Sequence, residues 1–446
     1  MQWNKTRYQG WGRVSGAEAA IARPERHGVL ADLITSSPKI LPHGQLRSYG
    51  DAALADGGWA LSTARLDRML SFDPETGILE AEAGITLGEI LRLMAPRGWM
   101  PPVLPGTGYT TLGGAIANDV HGKNHHIAGS FGQFVDRITL LMADGKTEIV
   151  SAKKTPDLFR ATVGGVGQTG LITAAALRLA PCPTTAMRVT ETRMSDLDAF
   201  LDRFEARDAP FQVGWIDALA TESALGRGLM EEADFAAATP QRLRRAATRA
   251  LPKLVPPVAS WPLIVRCFNS LYYHRVPAAG RTRTRALQKF FFPLDRISNW
   301  NILYGKAGFH QFQCVLPPDA AETHLRRMLE AVSGAQLASP LAVLKRMGPG
   351  RAGHLSFAKE GYTLALDIPN RKGSAALLAE LEALTLAGGG RIYLAKDANM
   401  GAASLAEMYP EIDAFRDTVA SVDPTGKFTS HLAKRLDLRR SPEAET

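Results

Sequence analysis

Residues 105–132 read PGTGYTTLGGAIANDVHGKNHHIAGSFG. Gly106, Gly108, Gly113, Gly114 and Gly122 fall within 17 residues, and Thr110, Thr111 and Asn118 stand among them. Backbone without side chains lets a flat, extended ligand approach closely, and the hydroxyls and amide add directed hydrogen bonds. The stretch lacks the G-x-x-x-x-G-K-[ST] phosphate loop, and the chain has no G-x-G-x-x-G that leaves a strand and opens a helix. A P-loop nucleotide site and a doubly wound NAD site are therefore not expected. His121, His125 and His126 raise the question of a metal. The i, i+4 pair would need a helix, and Gly122 argues against one, so no metal site is expected.

Two further segments repeat this chemistry. HGQLRSYGD, residues 43–51, holds Gly44 and Gly50, which permit positive φ. Consecutive amides in such a turn form an anion-binding concavity, and Arg47 and Ser48 can donate to a pyrophosphate. VGGVGQTGLI, residues 163–172, holds Gly164, Gly165, Gly167 and Gly170. Three glycine-rich loops in the first 180 residues fit a large dinucleotide better than three independent turns.

Between these loops, short apolar runs alternate with turn signals. HGVLADLI reads as a short helix, and KILPHGQLRSYGDAAL as a strand entering a loop. ILEAEAGITLGEILRLMAPRGW reads as strand, turn and helix, with Ile90, Leu91 and Leu93 at helical spacing. RITLLMADGKTEIVS is a hairpin turning at Asp144-Gly145. DLFRATVGGVGQTGLITAAALRLAP runs from a helix through the third loop into a strand. The pattern is α+β, without regular βαβ alternation. Prolines at Pro181 and Pro183 mark a boundary. Beyond them, strands such as QVGWIDALA, AGFHQFQCVLPP and GYTLALDIPN alternate with the helices DAAETHLRRMLEAVSG and SAALLAELEALTLAGG. An antiparallel sheet covered by helices is expected there. SLAEMYPEIDAFRDTVASVDPTGKF reads as one amphipathic helix stopped by Asp423-Pro424.

A length of 446 residues suggests two domains, or three. Cys182, Cys267 and Cys314 are too dispersed for a zinc or dithiol motif. The first residues, MQWNKTRYQGWGR, hold no apolar core of a signal peptide. No apolar run reaches the roughly 18 residues of a membrane span. The net charge is +8, and it is unevenly spread: Thr239 to Arg285 contains ten Arg and Lys and no acid. Leu254, Val255, Trp261, Leu263, Ile264, Tyr272 and Tyr273 are interleaved with them. Such a segment is either a solvated insertion or a surface for anionic lipid headgroups. No nucleic-acid module accompanies it, so nucleic acid is not an expected partner.

Together, HGQLRSYGD, PGTGYTTLGGAIANDVHGKNHHIAGSFG and TVGGVGQTGLI resemble the FAD-binding domain of the vanillyl-alcohol-oxidase type of flavoprotein. Within that group the chain is similar to the polyprenylphosphoryl-ribose oxidases, the flavin half of a two-component 2′-epimerase. The resemblance covers nearly the whole chain, with later landmarks FFFPLDRISNWNILYGKAGFHQFQCVLP, VLKRMGP, RIYLAKD and VDPTGKFTSHLAKRL. HGKNHH with AGSFG is the most specific part. The resemblance implies an α+β, two-domain fold. Residues 1–181 and a returning segment, 391–446, would form the FAD domain; residues 182–390 would form a substrate domain over the flavin ring.

The resemblance also implies roles. His43, Gly44, Arg47, Ser48, Tyr49, Gly50 and Asp51 would cradle the FAD pyrophosphate. Gly106, Thr111, Gly113, Gly114, Asn118 and His121 would line the flavin, with Ile172 and Tyr393 completing its pocket. Lys396 would sit at the reacting face. Lys123, Trp215, Gln311, Gln313 and Lys345 would face substrate. Arg47 occupies the position at which many relatives carry a flavin-linking histidine, so non-covalent FAD is expected. His43 replaces the usual first arginine of that loop. Ala365 and Phe291 replace a cysteine and a tyrosine on the substrate side.

Oxidising a secondary alcohol requires a hydride acceptor and a proton acceptor. A flavin supplies the first, and the protein supplies the second. Lys396 is the first candidate, as a desolvated base or as a charge that stabilises alkoxide; His121 is the alternative. Lys123 and Lys345 could hold a substrate phosphate. The expected activity is oxidation of the C2 hydroxyl of a polyprenyl-phosphate-linked pentose at a membrane surface. An NADH-dependent short-chain reductase would complete the epimerisation, and a quinone or other acceptor would reoxidise the flavin. A peripheral position on the inner membrane follows, with the cytoplasmic face favoured. The alternatives are an oxygen-using sugar-alcohol or aldonolactone oxidase and a non-catalytic lipid-headgroup-binding protein.

Overall fold

A computed structural model describes residues 4–206, 209–237, 243, 248–251 and 257–440. Most of the strands belong to three sheets. The first orders Asn4–Gln9, Gly16–Ala22, Trp59–Ser62 and Ile40–His43, with the last two strands parallel. The second is antiparallel and orders Met69–Asp73, Ile78–Glu82, Leu171–Arg178, Val135–Leu141 and Thr147–Val150. Its central strand, Leu171–Arg178, is buried at seven consecutive positions; Ala175 and Leu177 pack with Ile90, Leu91 and Ile116 of the covering helices, and Leu171 packs with Ile40 and Leu61 of the first sheet.

The helix Leu87–Met94 shows how the local sequence builds this lobe. Thr86 caps it by accepting from the Glu89 amide at 3.3 Å. Leu87, Ile90, Leu91 and Met94 form its buried stripe, while Leu93 is only half-buried. The expected Asp144-Gly145 turn closes the hairpin, with Gly145 at φ +84°.

The third sheet has eight antiparallel strands. Their order is Arg281–Ala286, Ala186–Met194, Gly228–Phe235, Phe211–Ile216, Ala342–Met347, Gly361–Pro369, Phe309–Leu316 and Arg391–Ile392. Helices Pro318–Ala335 and Ser374–Ala387 cover one face; Leu325, Met328, Leu329 and Val332 of the first pack with Leu377, Leu378 and Leu381 of the second. The other face carries Gln311, Gln313, Val343, Lys345, Ala365 and Trp215 toward the first lobe.

The chain then returns. After Arg391–Ile392 it runs to Phe428, which bridges Ile40, and the Ile40 amide donates to Lys427 O at 2.8 Å. The expected single C-terminal helix is two helices, Ala402–Met408 and Ile412–Val422. Pro410 follows Tyr409, and a residue before proline is kept out of the α region; Tyr409 sits at φ −126°, ψ 79°. In the basic segment, Leu254 and Val255, with Lys253, Arg242, Arg244 and Arg245, lie outside the described residues.

Candidate cofactor and substrate site

One cavity of about 830 Å³ lies between the first lobe and the open face of the eight-stranded sheet. Ligand pockets commonly span roughly 300–1,000 Å³. Of the residues to which the resemblance gives a role, all but Gly50 and Asp51 line it.

His43 closes the strand Ile40–His43, and its Nδ1 lies 2.9 Å from Gly44 O. Burial lowers its pKa to about 4, so it is neutral near pH 7, and its Nε2 has no partner. Positive charge in this loop therefore comes from Arg47. Its guanidinium lies 4.1 Å from the Trp11 ring and 4.6 Å from the Tyr109 ring, with Nε unpaired. Gly44 is required by approach: a Cβ there would sit 2.3 Å from Thr111 Oγ1. Gly50 and Asp51 lie outside the cavity lining. A Cβ on Gly50 would stand 1.8 Å from the Asp397 carbonyl oxygen, and Asp51 accepts two bonds of 2.9 Å from Arg435. Both residues dock the loop onto the returning segment.

Thr111 caps the short helix Leu112–Ala117, accepting from Gly114 N at 3.2 Å. Gly113 N donates to Ala83 O at 2.8 Å, which presses this turn onto the second sheet. Asn118 donates to Gly114 O at 2.8 Å and leaves its buried Oδ1 without a partner. A Cβ on Gly106 or Gly167 would meet nothing within 4 Å, so both glycines face open cavity. Each glycine-rich loop also holds one non-glycine residue at positive φ: Leu46 at +51°, Asp119 at +38° and Val166 at +46°. Such conformations cost energy and persist only where surrounding contacts impose them. For Asp119 those contacts are bonds of 2.7 Å from Ser130 Oγ and Gly132 N, with a further one from Ser356.

At the sheet, His121 is held between Gln313 at Nε2, 2.9 Å, and Lys345 at Nδ1, 3.1 Å. A neutral imidazole has one N–H and one bare nitrogen. With the Gln313 amide donating at Nε2, the proton sits on Nδ1, and a neutral Lys345 accepts it. A Lys345 ammonium requires the amide turned so that its oxygen accepts from Nε2. Burial, with Lys396 and Lys123 nearby, lowers Lys345 to about 7, so both arrangements are reached near neutral pH. His121 itself is pushed well down by burial and by Lys345.

Lys396 lies 3.8 Å over the Tyr49 ring, and burial lowers its pKa to about 7 against the opposing charge of Asp367. Asp367 is raised to about 7 by burial and accepts from Gln311 and, at 3.1 Å, from Tyr304. Lys123 donates to Phe290 O, stands 3.9 Å over the Phe290 ring and falls to about 8 through burial. Trp215 donates to Pro340 O at 2.8 Å, with its ring 4.6 Å from that of Tyr272. Ile172 is buried in the wall, and Tyr393 donates to Asn118 O at 3.0 Å. Phe291 and Ala365 add apolar surface to the cavity wall.

Sequence reasoning missed Asp367, Asp295, Trp11 and Tyr109. Asp295 accepts from Thr107 Oγ1 and Gly108 N, both at 2.7 Å, and ties the second loop to the larger lobe. The signal for Asp367 was an acid inside the buried run GYTLALDIP. Nothing local marked the others. Among the described residues no three His, Cys, Asp or Glu side chains converge on a metal position. His125 Nδ1 accepts from Gly348 N at 3.1 Å, and His126 Nε2 pairs with Ala209 O at 3.0 Å.

These residues fit a flavin dinucleotide. Unpaired His43 Nε2 and Arg47 Nε on the first loop and Asn118 Oδ1 on the second stand along one groove, which also has bare backbone at Gly106 and Gly167.

Residues 19–151 match the FAD binding domain family. The chain is 33% identical to decaprenylphosphoryl-β-D-ribose oxidase of Mycolicibacterium smegmatis, with 97% of each chain covered. It is 37% identical to an uncharacterized protein of Streptomyces coelicolor, over 79% of this chain and all of that one. Similarity to the D-lactate dehydrogenase of Anaerostipes hadrus is confined to 31% of this chain and 30% of that one, at 24% identity.

Proposed function

Because the chain belongs to the FAD-binding oxidoreductase family of decaprenylphosphoryl-β-D-ribose oxidase, we propose that it oxidises the C2 hydroxyl of a polyprenylphosphoryl pentose to a 2-keto sugar. The observation that carries this reading is the half-buried lysine at the cavity wall: Lys396 stands over the Tyr49 ring and is lowered to about 7 by desolvation, with Asp367 as its opposing charge. Bound FAD supplies a two-electron acceptor for the carbon-bound hydride.

The chain's own residues do the rest. Neutral Lys396 accepts the hydroxyl proton, and Asp367 favours the ammonium that results. Gln313 orients His121, and Lys345 exchanges a proton with its Nδ1. Phe291 and Trp215 keep water from the sugar, which strengthens these electrostatic contacts. His43, Arg47, Thr111 and Asn118 hold the non-covalent cofactor through its pyrophosphate and ring edges.

The 2-keto product requires a reductase that uses NADH to return the alcohol with inverted configuration, so such an enzyme is the proposed partner. A quinone or similar acceptor regenerates the oxidised flavin. No described helix is long and apolar enough to cross a membrane. A lipid-linked substrate and the basic stretch between Thr239 and Arg285 support peripheral contact with the inner membrane, at its cytoplasmic face. The apolar Phe291 and Ala365 favour a second reading, in which an aldonolactone or sugar alcohol is oxidised with oxygen as acceptor. Anaerobic mixing of the FAD-loaded protein with polyprenylphosphoryl ribose separates them. The first reading expects bleaching of the flavin band; bleaching by free lactones or polyols alone supports the second.

A further inference from the structure

At its substrate end the cavity is walled by Tyr272 and Arg275, at the C-terminal end of the helix Pro262–His274. Val265 and Asn269 anchor that helix, with Asn269 donating to Asp217 at 2.7 Å. The opposite face is apolar and open: Leu263 is 72% and Leu271 76% exposed, and Trp261, Ile264 and Phe268 are each above 40%. Ile264, Phe268 and Tyr272 are spaced i, i+4, i+8, so they form one stripe along the helix. The Phe268 ring stacks on Tyr272 at 5.6 Å, and Tyr272 meets Trp215 inside the cavity. An apolar track thus runs from solvent to the substrate chamber. Monomeric surfaces rarely keep such a contiguous patch without a use.

An arginine cluster lies where the track enters. Arg275, Arg281 and Arg285 pair with the buried Glu191 at 2.7–2.8 Å, and Arg283 approaches it at 3.8 Å. Arg285 also pairs with Glu231. Four arginines face two carboxylates, and Lys289 adds a further cation to the cavity wall. The Arg275 Nε is buried with no acceptor, and its guanidinium stands 4.1 Å over Tyr272. A surplus of positive charge with an unpaired guanidinium donor suits a phosphate.

We propose that this mouth holds the lipid half of the substrate, its phosphate against Arg275 and Arg285 and its isoprenoid chain along Tyr272, Phe268 and Ile264. The proposal rests on the polyprenylphosphoryl reading given above. It assigns the phosphate to the arginine cluster, while Lys123 and Lys345 remain with the sugar and His121. An amphiphile is favoured over a protein partner because the apolar track is continuous with both the charge cluster and the chamber.

The test titrates the full FAD-loaded chain with decaprenyl phosphate, geranyl phosphate and inorganic phosphate in one mild detergent. Wild type is expected to bind decaprenyl phosphate most tightly. The double variant Ile264→Ser/Phe268→Ser should weaken decaprenyl phosphate by about 10-fold or more and close most of its advantage over geranyl phosphate. Arg275→Gln should weaken both prenyl phosphates by a similar factor, and Arg275→Lys should restore part of it. Ile149→Ser, on an exposed strand of the first lobe, should leave decaprenyl phosphate binding as in wild type. Equal decaprenyl phosphate affinity in wild type and all helix variants overturns the proposal, as does equal loss in the Ile149→Ser control. Loss of binding to anionic vesicles with unchanged decaprenyl phosphate affinity also overturns it, and would make the helix a bilayer-docking surface. If decaprenyl phosphate binds through these residues but no polyprenylphosphoryl pentose bleaches the flavin, the lipid site stands and the proposed reaction falls.

Discussion

The Lys396 ammonium nitrogen lies 3.8 Å from the centre of the Tyr49 ring. Tyr49 belongs to the first glycine-rich loop and Lys396 to the returning segment. The contact therefore joins the cofactor cradle to the proposed proton acceptor. An aromatic face tolerates either protonation state better than a carboxylate would, because its attraction for a cation is modest.

Replacing Lys396 should separate chemistry from binding. Lys396→Met is expected to slow anaerobic flavin reduction by roughly 10²–10⁴-fold, the usual range for loss of a general base. FAD content, read from the visible spectrum, should stay near stoichiometric. Loss of FAD together with activity would show that the lysine acts mainly in cofactor retention.

The rate should depend on pH with a definite sign. Burial depresses Lys396 to about 7, so its neutral form grows as pH rises through that value. Flavin reduction should therefore increase between about pH 6 and 8 and then level. Asp367→Asn removes a charge that favours the ammonium, so the inflection should move below that of wild type. An unshifted profile in Asp367→Asn would exclude the aspartate from this role.

The same burial has a stability consequence. Lys396 and Lys345 at about 7 and Lys123 at about 8 release protons in the folded state well below the ordinary lysine value of 10.5. Between about pH 7 and 10 the unfolded chain holds more protons, so stability should rise with pH across that window. Urea midpoints of the cofactor-free protein at pH 7 and pH 9 check this. Lys345→Met should flatten the rise, because one of the three displaced lysines is gone.

Arg47 carries the fixed charge of the first loop, since His43 is neutral. Arg47→Ala should weaken FAD by about 10-fold or more, consistent with loss of a charge-assisted contact. Flavin fluorescence titration measures it. Acid precipitation of the wild type should release all of its flavin into the supernatant, as a non-covalent cofactor requires.

Gly50 tests the docking of this loop. A methyl group there would overlap the Asp397 carbonyl, a backbone atom that cannot swing aside. Gly50→Ala should cost about 1–3 kcal/mol in stability, the usual penalty for overpacking. FAD affinity should fall with it, because Tyr49 N donates to Ala395 O from the neighbouring position. Thermal melts with and without added FAD read both effects.

Much of the site was legible because bare backbone is visible in sequence. The glycines that face or flank the groove, Gly44, Gly106, Gly113 and Gly114, could be read directly, and so could the sheet residues Gln311, Gln313 and Lys345 once the resemblance was applied. Gly50 is harder to read, because a glycine needed for packing against Asp397 looks the same in sequence as one needed for a ligand. The strained Leu46, Asp119 and Val166 were invisible, since positive φ in a non-glycine residue is imposed by tertiary contacts. Asp367 and Asp295 gain their partners only when segments distant in sequence are brought together. The helix break at Tyr409 was readable from Pro410 alone, but the apolar periodicity on both sides outweighed it.

The bridge from Ile40 to Phe428 also bears on how the chain is made. A strand needed for the first glycine-rich loop finds its neighbour about 390 residues later. At roughly 5–20 residues per second on the ribosome, that neighbour emerges roughly 20–80 s after Ile40. The nascent first lobe must pass that interval with an uncovered strand edge, so flavin capture should follow the emergence of Phe428, and truncation before Phe428 should yield protein without bound flavin.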